Sequence, residues 1–447
     1  MPVSNRSKLC VMFFLESLIR GAWVPLLGLY MGSRYLNFSA IEKAWIFSTF
    51  AIAAVTGMFF GGQIADRHLS QEKFMAGSHL IGGLAIMGLA FTKSFWPFFG
   101  LMQLHCFFYV PTYSVVNSIA FAHLKDPRKE FGFVRLWGSV GWIAAAWPLI
   151  FIPVDWARVP AMSGAGGFLP WLGTALATLK TGPAMESALT GTFIVSGIAS
   201  LILAAFSLFL PHTPPSTRGD RFAPLQAIKL LAIPSVTVLF VVTFFDSLVH
   251  NGYYIMTSRY LQSIGLPVNW IAPAMSVGQT MEIVVMAFLG RIIKTLGWRK
   301  TLILGVLAQA VRFGVYALGS RELVGVVIAV NVVHGFAFAC FFATVYIYVD
   351  EFFPKEIRSS AQALFNLMIV GISSIAANFV WEGLGDRFST STTVGDTVVK
   401  VVDYHRLFLV PFGLSLMAAI LLALFFHPKS EVVSVEGAAE GAPAAVQ

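Results

Sequence analysis

The stretch GQIADR at residues 62–67 and the stretch GRIIKTLGWRK at residues 290–300 decide the architecture, because each follows an apolar segment at the same place in one half of the chain. Each combines a small residue, Gly62 or Gly290, with cationic residues at the membrane surface. A small residue lets helices approach closely, and two such stretches at matching places indicate an internal repeat. We therefore predict two related halves.

Twelve long apolar stretches surround these two segments. The chain has 57% hydrophobic and 12% charged residues and a mean hydropathy of +0.76, which is too apolar for a soluble globular protein. Hydrocarbon offers backbone amides no hydrogen-bond partner, so each stretch of roughly 20 residues crosses a bilayer as a helix. The predicted spans are 9–31, 44–65, 74–92, 95–122, 133–153, 191–210, 234–258, 270–290, 301–318, 323–349, 358–382 and 405–426.

The basic residues predict the orientation. If the N-terminus is cytoplasmic, lysine and arginine concentrate in the inner loops, and the even number of spans returns the C-terminus to the cytoplasm. The net charge of +8 then reflects topology, and nucleic-acid binding is not expected. The three cysteines lie in apolar segments without paired spacing, so neither a disulfide nor a metal site is expected.

The chain divides into four regions. We predict an N-terminal six-helix bundle over 1–210, a Pro-rich and basic cytoplasmic linker over 211–233, a C-terminal six-helix bundle over 234–427 and a disordered cytoplasmic tail over 428–447. Within the long outer loop at 154–190, the segment WLGTALATLK is predicted to form a short surface helix.

Charged residues inside the spans are the first functional candidates, since a charge near the bilayer centre costs about 2.5–3.5 kcal/mol on insertion scales. Glu16 and Arg20 are four residues apart on one helix face and are expected to neutralise each other. Arg312 lies near the outer end of its span and is expected to extend towards the membrane surface. The other charged candidates are Arg135, Asp246 and Glu282.

Polar side chains also follow helical spacing. Arg135, Ser139 and Trp142 share one face of the fifth span, where an indole gives a stacking surface and a guanidinium gives forked donors. Gln279 and Glu282 project from one face of the eighth span and offer an amide and a carboxyl to a ligand. Such groups also form hydrogen bonds between helices that only hold a bundle together, so this alternative remains open.

The seventh span carries a polar face, and the tenth an aromatic one. Asp246, His250, Asn251 and Tyr254 lie within about two turns of one another. Phe338 belongs to the aromatic run HGFAFACFF, although aromatic residues at helical spacing more often pack against other helices than bind a ligand.

The two repeated stretches resemble the loop motif G-x-L-A-D-R-x-G-R-K of the major facilitator superfamily. This resemblance implies an all-α membrane protein with 12 transmembrane helices in two six-helix bundles, and a loop that acts on conformational exchange. Its residues here are Gly62, Asp66 and Arg67 in the first copy, and Gly290 and Arg299 in the second.

Four further segments narrow the resemblance. They are YVPTYSVVNSI from Tyr109, VRLWGSVGW from Val134, SVGQTMEI from Ser276 and IRSSAQALF from Ile357, and in order and position they resemble the nucleoside:proton symporter family. The resemblance implies a nucleoside site formed by Arg135, Ser139, Trp142, Asn251, Tyr254, Gln279, Glu282 and Phe338.

The chain departs from this family on helices 1, 7 and 10, and on helix 1 Glu16 and Arg20 stand where the family has neutral residues. Asn251 and Tyr254 stand where the family has glutamine and asparagine, and Ala339 stands where it has aspartate. The missing carboxylate leaves the proton stoichiometry open. Our hypothesis is that Glu282 or Glu16 takes the proton, with Asp246 as a further candidate.

The predicted function is the import of nucleosides with protons across a bacterial inner membrane, by a monomer that needs no cofactor. The substituted positions keep an alternative open, namely transport of a sugar or other small glycoside. An enzyme or a sensor is disfavoured, because no nucleophile–base–acid set, metal spacing or phosphate-binding glycine loop is found.

Overall fold

The computed structural model describes residues 5–32, 34–65, 69–164, 166–214, 231–353, 355–394 and 397–427, and these ranges form twelve membrane-crossing helical segments in two bundles. We number the segments as spans 1–12. Their bounds are Asn5–Tyr30, Ala40–Ala65, Gln71–Phe91, Phe95–His123, Pro127–Ala146, Gly182–Ser207, Pro234–Ser263, the two parts of Val268–Leu318, Arg321–Phe352, Ala361–Arg387 and Tyr404–Phe425.

Length and hydropathy support the crossings. In the described part of the chain, nine helices are long and apolar enough to cross a membrane, and one of these contains both span 8 and span 9. Ala40–Ala65 and Phe95–His123 supply spans 2 and 4. Span 1 begins and span 12 ends on the same side of the bundles, which we call the terminal face. We call the other side the opposite face.

The connection between spans 8 and 9 differs from the prediction. Residues 291–300 were expected to form a loop, but Val268–Leu318 is helical on both sides of a break at Gly297. Gly297 has φ 74°, a left-handed conformation that glycine adopts without steric cost. One glycine therefore reverses the chain direction between two adjoining helices.

Two small elements lie on the opposite face. The short helix Phe168–Ala177 occupies the place predicted for a surface helix in the loop 154–190. A hairpin of β1 (Ser389–Val394) and β2 (Thr397–Val402) connects spans 11 and 12, with Ser389 paired to Val402. This hairpin was not predicted, because its Ser/Thr-rich first strand lacks the alternation of apolar and polar residues that marks a half-buried strand.

The apolar cores show how the two halves meet. On the terminal face, each half has its own cluster: Met12, Tyr109 and Leu203 belong to the N-terminal half, whereas Val242 and Phe341 belong to the C-terminal half. Towards the opposite face one large cluster and a smaller one around Ala146 and Ala272 join both halves. The halves therefore pack together at the opposite face and have separate cores at the terminal face.

A close helix contact fixes span 5 against span 1. A Cβ atom placed on Gly141 would lie 2.1 Å from the carbonyl oxygen of Phe14, whereas nothing described lies within 4 Å of one placed on Gly132 in the same helix. Gly141 adjoins Trp142, so this contact sets the position of the indole. Only a residue without a Cβ allows the two backbones to approach this closely.

We expect Gly141→Ala to destabilise the protein by about 1–3 kcal/mol, because the added methyl group forces spans 1 and 5 apart. Thermal unfolding in detergent measures this change. The matched control Gly132→Ala should leave the midpoint unchanged or raise it, since alanine is the better helix former. Equal midpoints for the two variants would contradict the packing role of Gly141.

Candidate functional site

A central cavity of about 480 Å³ lies between the two halves, near the middle of the spans. Its walls come from spans 1, 2, 4 and 5 of the N-terminal half and spans 7, 8, 10 and 11 of the C-terminal half. All eight residues that the resemblance implies for nucleoside binding line this cavity, namely Arg135, Ser139, Trp142, Asn251, Tyr254, Gln279, Glu282 and Phe338.

Span 5 presents a cation, a hydroxyl and an indole to the cavity. Arg135, Ser139 and Trp142 follow one another at spacings of four and three residues, which place them on one face of the helix. Arg20 of span 1 extends beside them, with its guanidinium carbon 6.0 Å from the Trp142 ring and 4.1 Å from the Phe50 ring. This wall can stack a flat ring and donate hydrogen bonds.

Spans 7 and 8 contribute amide and phenol groups. Gln279 Nε2 donates to the hydroxyl of Tyr254 at 3.4 Å, which leaves the buried Gln279 Oε1 without a hydrogen-bond partner among the described residues. Asn251 Nδ2 donates to the carbonyl of Ser247 at 2.8 Å. The free Gln279 oxygen can therefore accept a hydrogen bond from a ligand N–H or O–H.

Opposite charges line the cavity from the two halves. Glu282 on span 8 is half-buried and Arg135 on span 5 is exposed, and Arg135 is the charge that acts on Glu282. The Trp142 and Tyr254 rings meet edge to face across the same boundary, with centroids 6.2 Å apart. A polar solute bound here would contact both halves at once.

Two π-helical turns lie beside the cavity. Phe338–Ala343 in span 10 contributes Phe338 and Phe342 to its wall, and Leu367–Ile372 in span 11 contributes Ile369 and Val370. A π turn widens the helix by one residue and is frequent at functional sites. Phe338 thus lines the cavity instead of serving only as helix packing.

The cavity also contains residues that the predicted site did not include. The polar ones include Arg20, Tyr113, His250, Tyr346 and Asn378. Arg20 and His250 were noticed as ionisable residues within spans, and Tyr113 and Tyr346 are hydroxyl-bearing residues in otherwise apolar helices. Their shared signal is a polar group within a span, but the sequence does not indicate which helix face meets the cavity.

The expected pairing of Glu16 with Arg20 is wrong. Glu16 is buried and bonds across the bundle, with Oε2 2.9 Å from His79 Nε2 and Oε1 accepting from Thr112 Oγ1 at 2.7 Å. Arg20 instead lies over the Phe50 ring and lines the cavity. The spacing of four residues allowed a local pair, but partners on spans 3 and 4 satisfy the carboxylate.

The expected extension of Arg312 to the membrane surface is also wrong. Arg312 is 0% exposed, and its guanidinium donates to His334 Nδ1 at 2.6 Å and to Gln309 Oε1. Partners on span 9 and the neighbouring span 10 hold it inside the bundle. Asp246, predicted as a proton site, is also buried in this half and is not among the residues that line the cavity.

The cavity is closed towards the opposite face by an ion-pair cluster. Glu382 of span 11 is 1% exposed and accepts from Lys43 of span 2 at 3.1 Å and from both terminal nitrogens of Arg259 of span 7. We call Lys43, Arg259 and Glu382 the clamp. It also lines a second cleft of about 320 Å³ on the opposite face. The clamp thus borders the outer cleft and joins the two halves.

A second layer lies beneath the clamp. Asn378 Nδ2 donates to Ser48 Oγ at 3.1 Å, and the rings of Trp45 and Phe379 meet edge to face at 5.2 Å. A Cβ atom placed on Gly28 of span 1 would lie 2.9 Å from the carbonyl oxygen of Ile255. The conformation is therefore closed at the opposite face.

The predicted switch loops are only partly described. Asp66 and Arg67 lie outside the described residues, and Gly62 lies within the last turns of span 2. Gly290 was expected to allow close helix packing, but no described atom lies within 4 Å of a Cβ placed there. Gly290 and Arg299 lie on either side of Gly297, where the chain reverses direction. No described atom lies close enough to require a small residue at position 290.

Comparison with known proteins decides the family. The family model described as "Nucleoside H+ symporter" matches residues 3–164 and 161–431, which is nearly the whole chain. This chain belongs to the nucleoside:proton symporter family. The family accounts for the arrangement of the four segments at Tyr109, Val134, Ser276 and Ile357, and the homologous proteins are transporters, not enzymes.

Individual relatives agree with this assignment. This chain is 31% identical over 382 residues to the putative nucleoside transporter YegT of Escherichia coli K12, with 83% of each chain covered. It is 26% identical over 432 residues to the xanthosine permease of the same organism, with 95% of this chain and 96% of the relative covered.

Solved structures confirm the major facilitator fold. The crystal structure of the nucleoside transporter NupG superposes with a TM-score of 0.78 at 22% identity, covering 96% of this chain and 100% of that chain. That of a D-xylose-proton symporter superposes with a TM-score of 0.68 at 14% identity, covering 96% and 99%. The chain thus shares its fold with these two proteins.

Ala339 is the position where this chain departs from the aspartate that the family resemblance implies. The residue is 0% exposed and packs in an apolar cluster with Val285, Leu289 and Cys340. The buried residues of this cluster supply no carboxylate at this place in span 10.

Proposed function

We propose that this protein imports nucleosides together with protons by alternating access. The observation that carries the proposal is the central cavity, in which Arg135, Ser139 and Trp142 of one half face Gln279 and Glu282 of the other. Membership of the nucleoside:proton symporter family supports the same substrate class. The cavity is lined by both halves, so a bound solute contacts each of them.

The lining suits the parts of a nucleoside. Trp142, Tyr254 and Phe338 offer flat surfaces for the base, while the Gln279 and Asn251 amides match the donors and acceptors at its edge. The ribose hydroxyls then face the carboxylate of Glu282, which accepts hydrogen bonds from hydroxyl groups. Base and sugar are in this way recognised by different walls.

The transport cycle follows from how the halves meet. The clamp and the shared apolar core close the opposite face, whereas the terminal face has separate cores. Rocking of one half against the other exposes the cavity to each side in turn. We infer that the structure is the inward-facing state, with both termini cytoplasmic, in the inner membrane of a bacterium.

Proton coupling requires a carboxylate whose charge differs between the loaded and empty states. Glu282, Glu16 and Asp246 are the buried or half-buried candidates in the two bundles. Protonation removes the desolvation cost of a carboxylate, so the loaded carrier can reorient more readily than the charged empty one.

Purified protein in proteoliposomes tests the proposal. An inward proton gradient should drive accumulation of labelled uridine or adenosine, and a protonophore should abolish it. A panel of nucleosides scored by thermal shift gives the affinity order without a membrane, because a bound ligand stabilises the folded state. Absence of both binding and uptake for every nucleoside would contradict the proposal.

A sugar or other glycoside is the second candidate. The maltose permease of Geobacillus stearothermophilus is 23% identical over 402 residues, and Tyr254 replaces an asparagine of the family resemblance. The same thermal-shift panel should therefore contain glucosides and free sugars. Stabilisation by glycosides and not by nucleosides would replace the first candidate with the second.

Arg135→Ala is expected to weaken nucleoside binding by about fivefold, which corresponds to about 1 kcal/mol. The effect is modest because the Arg135 side chain is exposed and water replaces part of its hydrogen bonding. Equilibrium binding in detergent measures it. Arg406→Ala, at a side chain that is 72% exposed on the opposite face, should bind nucleosides as the wild type does. Equal affinity in both variants would give Arg135 a structural role only.

A further inference from the structure

A polar cluster lies inside the C-terminal half, behind the wall of the central cavity. At its centre is Arg312, whose guanidinium bonds to His334 and Gln309 and whose Cζ lies 4.3 Å from the centre of the Tyr253 ring. Arginine has no acceptor, so His334 Nδ1 accepts and the His334 ring is neutral in this arrangement. None of these four side chains lines the cavity.

Asp246 belongs to the same region and has no bonding partner. It is 1% exposed, and among the described residues neither carboxylate oxygen has a hydrogen-bond or ion-pair partner. Asp246 lies four residues before His250 and seven before Tyr253, on the face of span 7 that meets the Arg312 cluster, where the guanidinium is bonded to His334 and Gln309. The carboxylate and the cation thus lie on facing parts of spans 7 and 9 without being paired.

The surroundings offer Asp246 few other charges. Span 11 has no ionisable residue between Arg358 and Glu382, and span 12 has none after Arg406 within the helix. The titratable and charged groups that face this region from its own span and from spans 1, 8, 9 and 10 are His250, Tyr253, Tyr254, Arg20, Glu282, Arg312, Tyr316 and His334.

An ionised carboxylate in this position would be buried and unbonded, which costs several kcal/mol. The arrangement is stable when Asp246 carries a proton. If the proton leaves, the carboxylate attracts Arg312, which has to exchange its present partners for the new one. Asp246 and Arg312 therefore form an element with two alternative sets of bonds.

We propose that Asp246 is the proton-binding site of the transport cycle and that Arg312 exchanges His334 and Gln309 for Asp246 when the proton is released. This inference rests on the proposed function. Asp246 takes its proton from water on the opposite face and returns it to water on the terminal face, and the guanidinium of Arg312 balances the charge that remains. No covalent bond other than O–H is made or broken.

His250 connects this site to the substrate cavity. It lies one turn after Asp246 on span 7 and lines the cavity, its Nδ1 is 3.3 Å from Gln309 Nε2, and its ring stacks on His334 at 5.1 Å. A ligand that contacts His250 can therefore shift Gln309 and His334, which are the present partners of Arg312. Substrate binding and proton binding would therefore both act on Gln309 and His334.

The other two carboxylates are less suited to this role. Glu16 has an ion-pair partner in His79 and a hydroxyl donor in Thr112, so its charge is compensated in place. Glu282 lines the cavity, where it is available to the substrate. A sodium ion at Asp246 is disfavoured because it would lie beside the fixed positive charge of Arg312.

Asp246→Asn tests the proposal in proteoliposomes. A gradient of one pH unit supports about tenfold accumulation of uridine with one proton, since one unit corresponds to 1.36 kcal/mol. We expect the variant to lose this accumulation and to keep uridine exchange in the absence of a gradient. Addition of uridine to the wild type in weakly buffered detergent should change the pH, and the variant should show no such change.

The controls separate the possible results. Ser247→Ala removes a neighbouring buried oxygen that has no partner among the described residues, and this variant should still accumulate uridine. Asp246→Glu, which keeps a carboxylate at the site, should retain accumulation. If Asp246→Asn accumulates uridine normally, or if a sodium gradient drives uptake in place of protons, the inference is wrong. If the wild type neither binds nor exchanges nucleosides, the proposed function fails instead.

Discussion

Replacing Glu382 by glutamine is expected to open the opposite face of the protein. The side chain is 1% exposed and accepts hydrogen bonds from Lys43 of the N-terminal half and Arg259 of the C-terminal half. Removal of one member of a buried ion pair costs about 3–5 kcal/mol, because the remaining charges lose their partner. Here two cations would be left to repel each other.

The substitution raises the free energy of the closed conformation, in which the three clamp side chains are bonded to one another. In the open conformation the halves separate and water solvates Lys43 and Arg259. A change of about 3 kcal/mol in the difference between two conformations shifts their ratio more than a hundredfold. The second cleft would then join the central cavity, since the clamp lines this cleft and holds the two halves together.

Spin labels at Lys93 and Glu322 measure the opening. These positions lie on the opposite face, one in each half, and the distance between them should lengthen in Glu382→Gln. Asp386→Asn is the matched control, because Asp386 pairs with Lys400 on the same face but both side chains are about half exposed. An unchanged distance distribution in Glu382→Gln would show that the apolar core alone closes this face.

Glu282→Ala is expected to reduce nucleoside affinity by about 10- to 100-fold. Hydrogen bonds to a charged group contribute about 1.5–3 kcal/mol, and this half-buried carboxylate is less accessible to water than Arg135. Truncation also removes the negative charge that faces Arg135 across the cavity. Glu282→Gln keeps the shape and should fall between the wild type and the alanine variant.

Equilibrium binding and exchange in proteoliposomes measure this effect. Because we assign the proton to Asp246, both Glu282 variants should keep their dependence on pH while they lose affinity. Glu322→Ala, at an exposed position in the first turn of span 10, provides a control that should bind as the wild type does. Loss of pH dependence together with retained affinity would assign the proton to Glu282.

The sequence was a good guide to the helices and to the walls of the cavity. Apolar length predicts a crossing helix because lipid leaves the backbone no alternative. Helical spacing correctly places Arg135, Ser139 and Trp142 on one face, and Gln279 and Glu282 on another. The resemblance then showed which faces meet, and the eight implied residues do lie around one cavity.

Partnerships between distant segments were not predictable in the same way. Glu16 bonds to His79, 63 positions away, although a cation stood four residues along its own helix. Lys43 and Glu382 are separated by most of the chain, so no local pattern connects them. Arg312 appeared to be near a helix end, and only its neighbours on span 10 show why it stays inside.

The apolar cluster shared by both halves has a consequence for kinetics. Its residues include Tyr30, Leu248 and Tyr260, and separating the halves at the opposite face would hydrate part of this surface. In the proposed transport cycle, the empty carrier should therefore favour the conformation that is closed at the opposite face and return slowly to the other. We expect the reset to limit net uptake from dilute medium, so that nucleoside preloaded inside the vesicle, returning outward as cargo, accelerates entry of the labelled one.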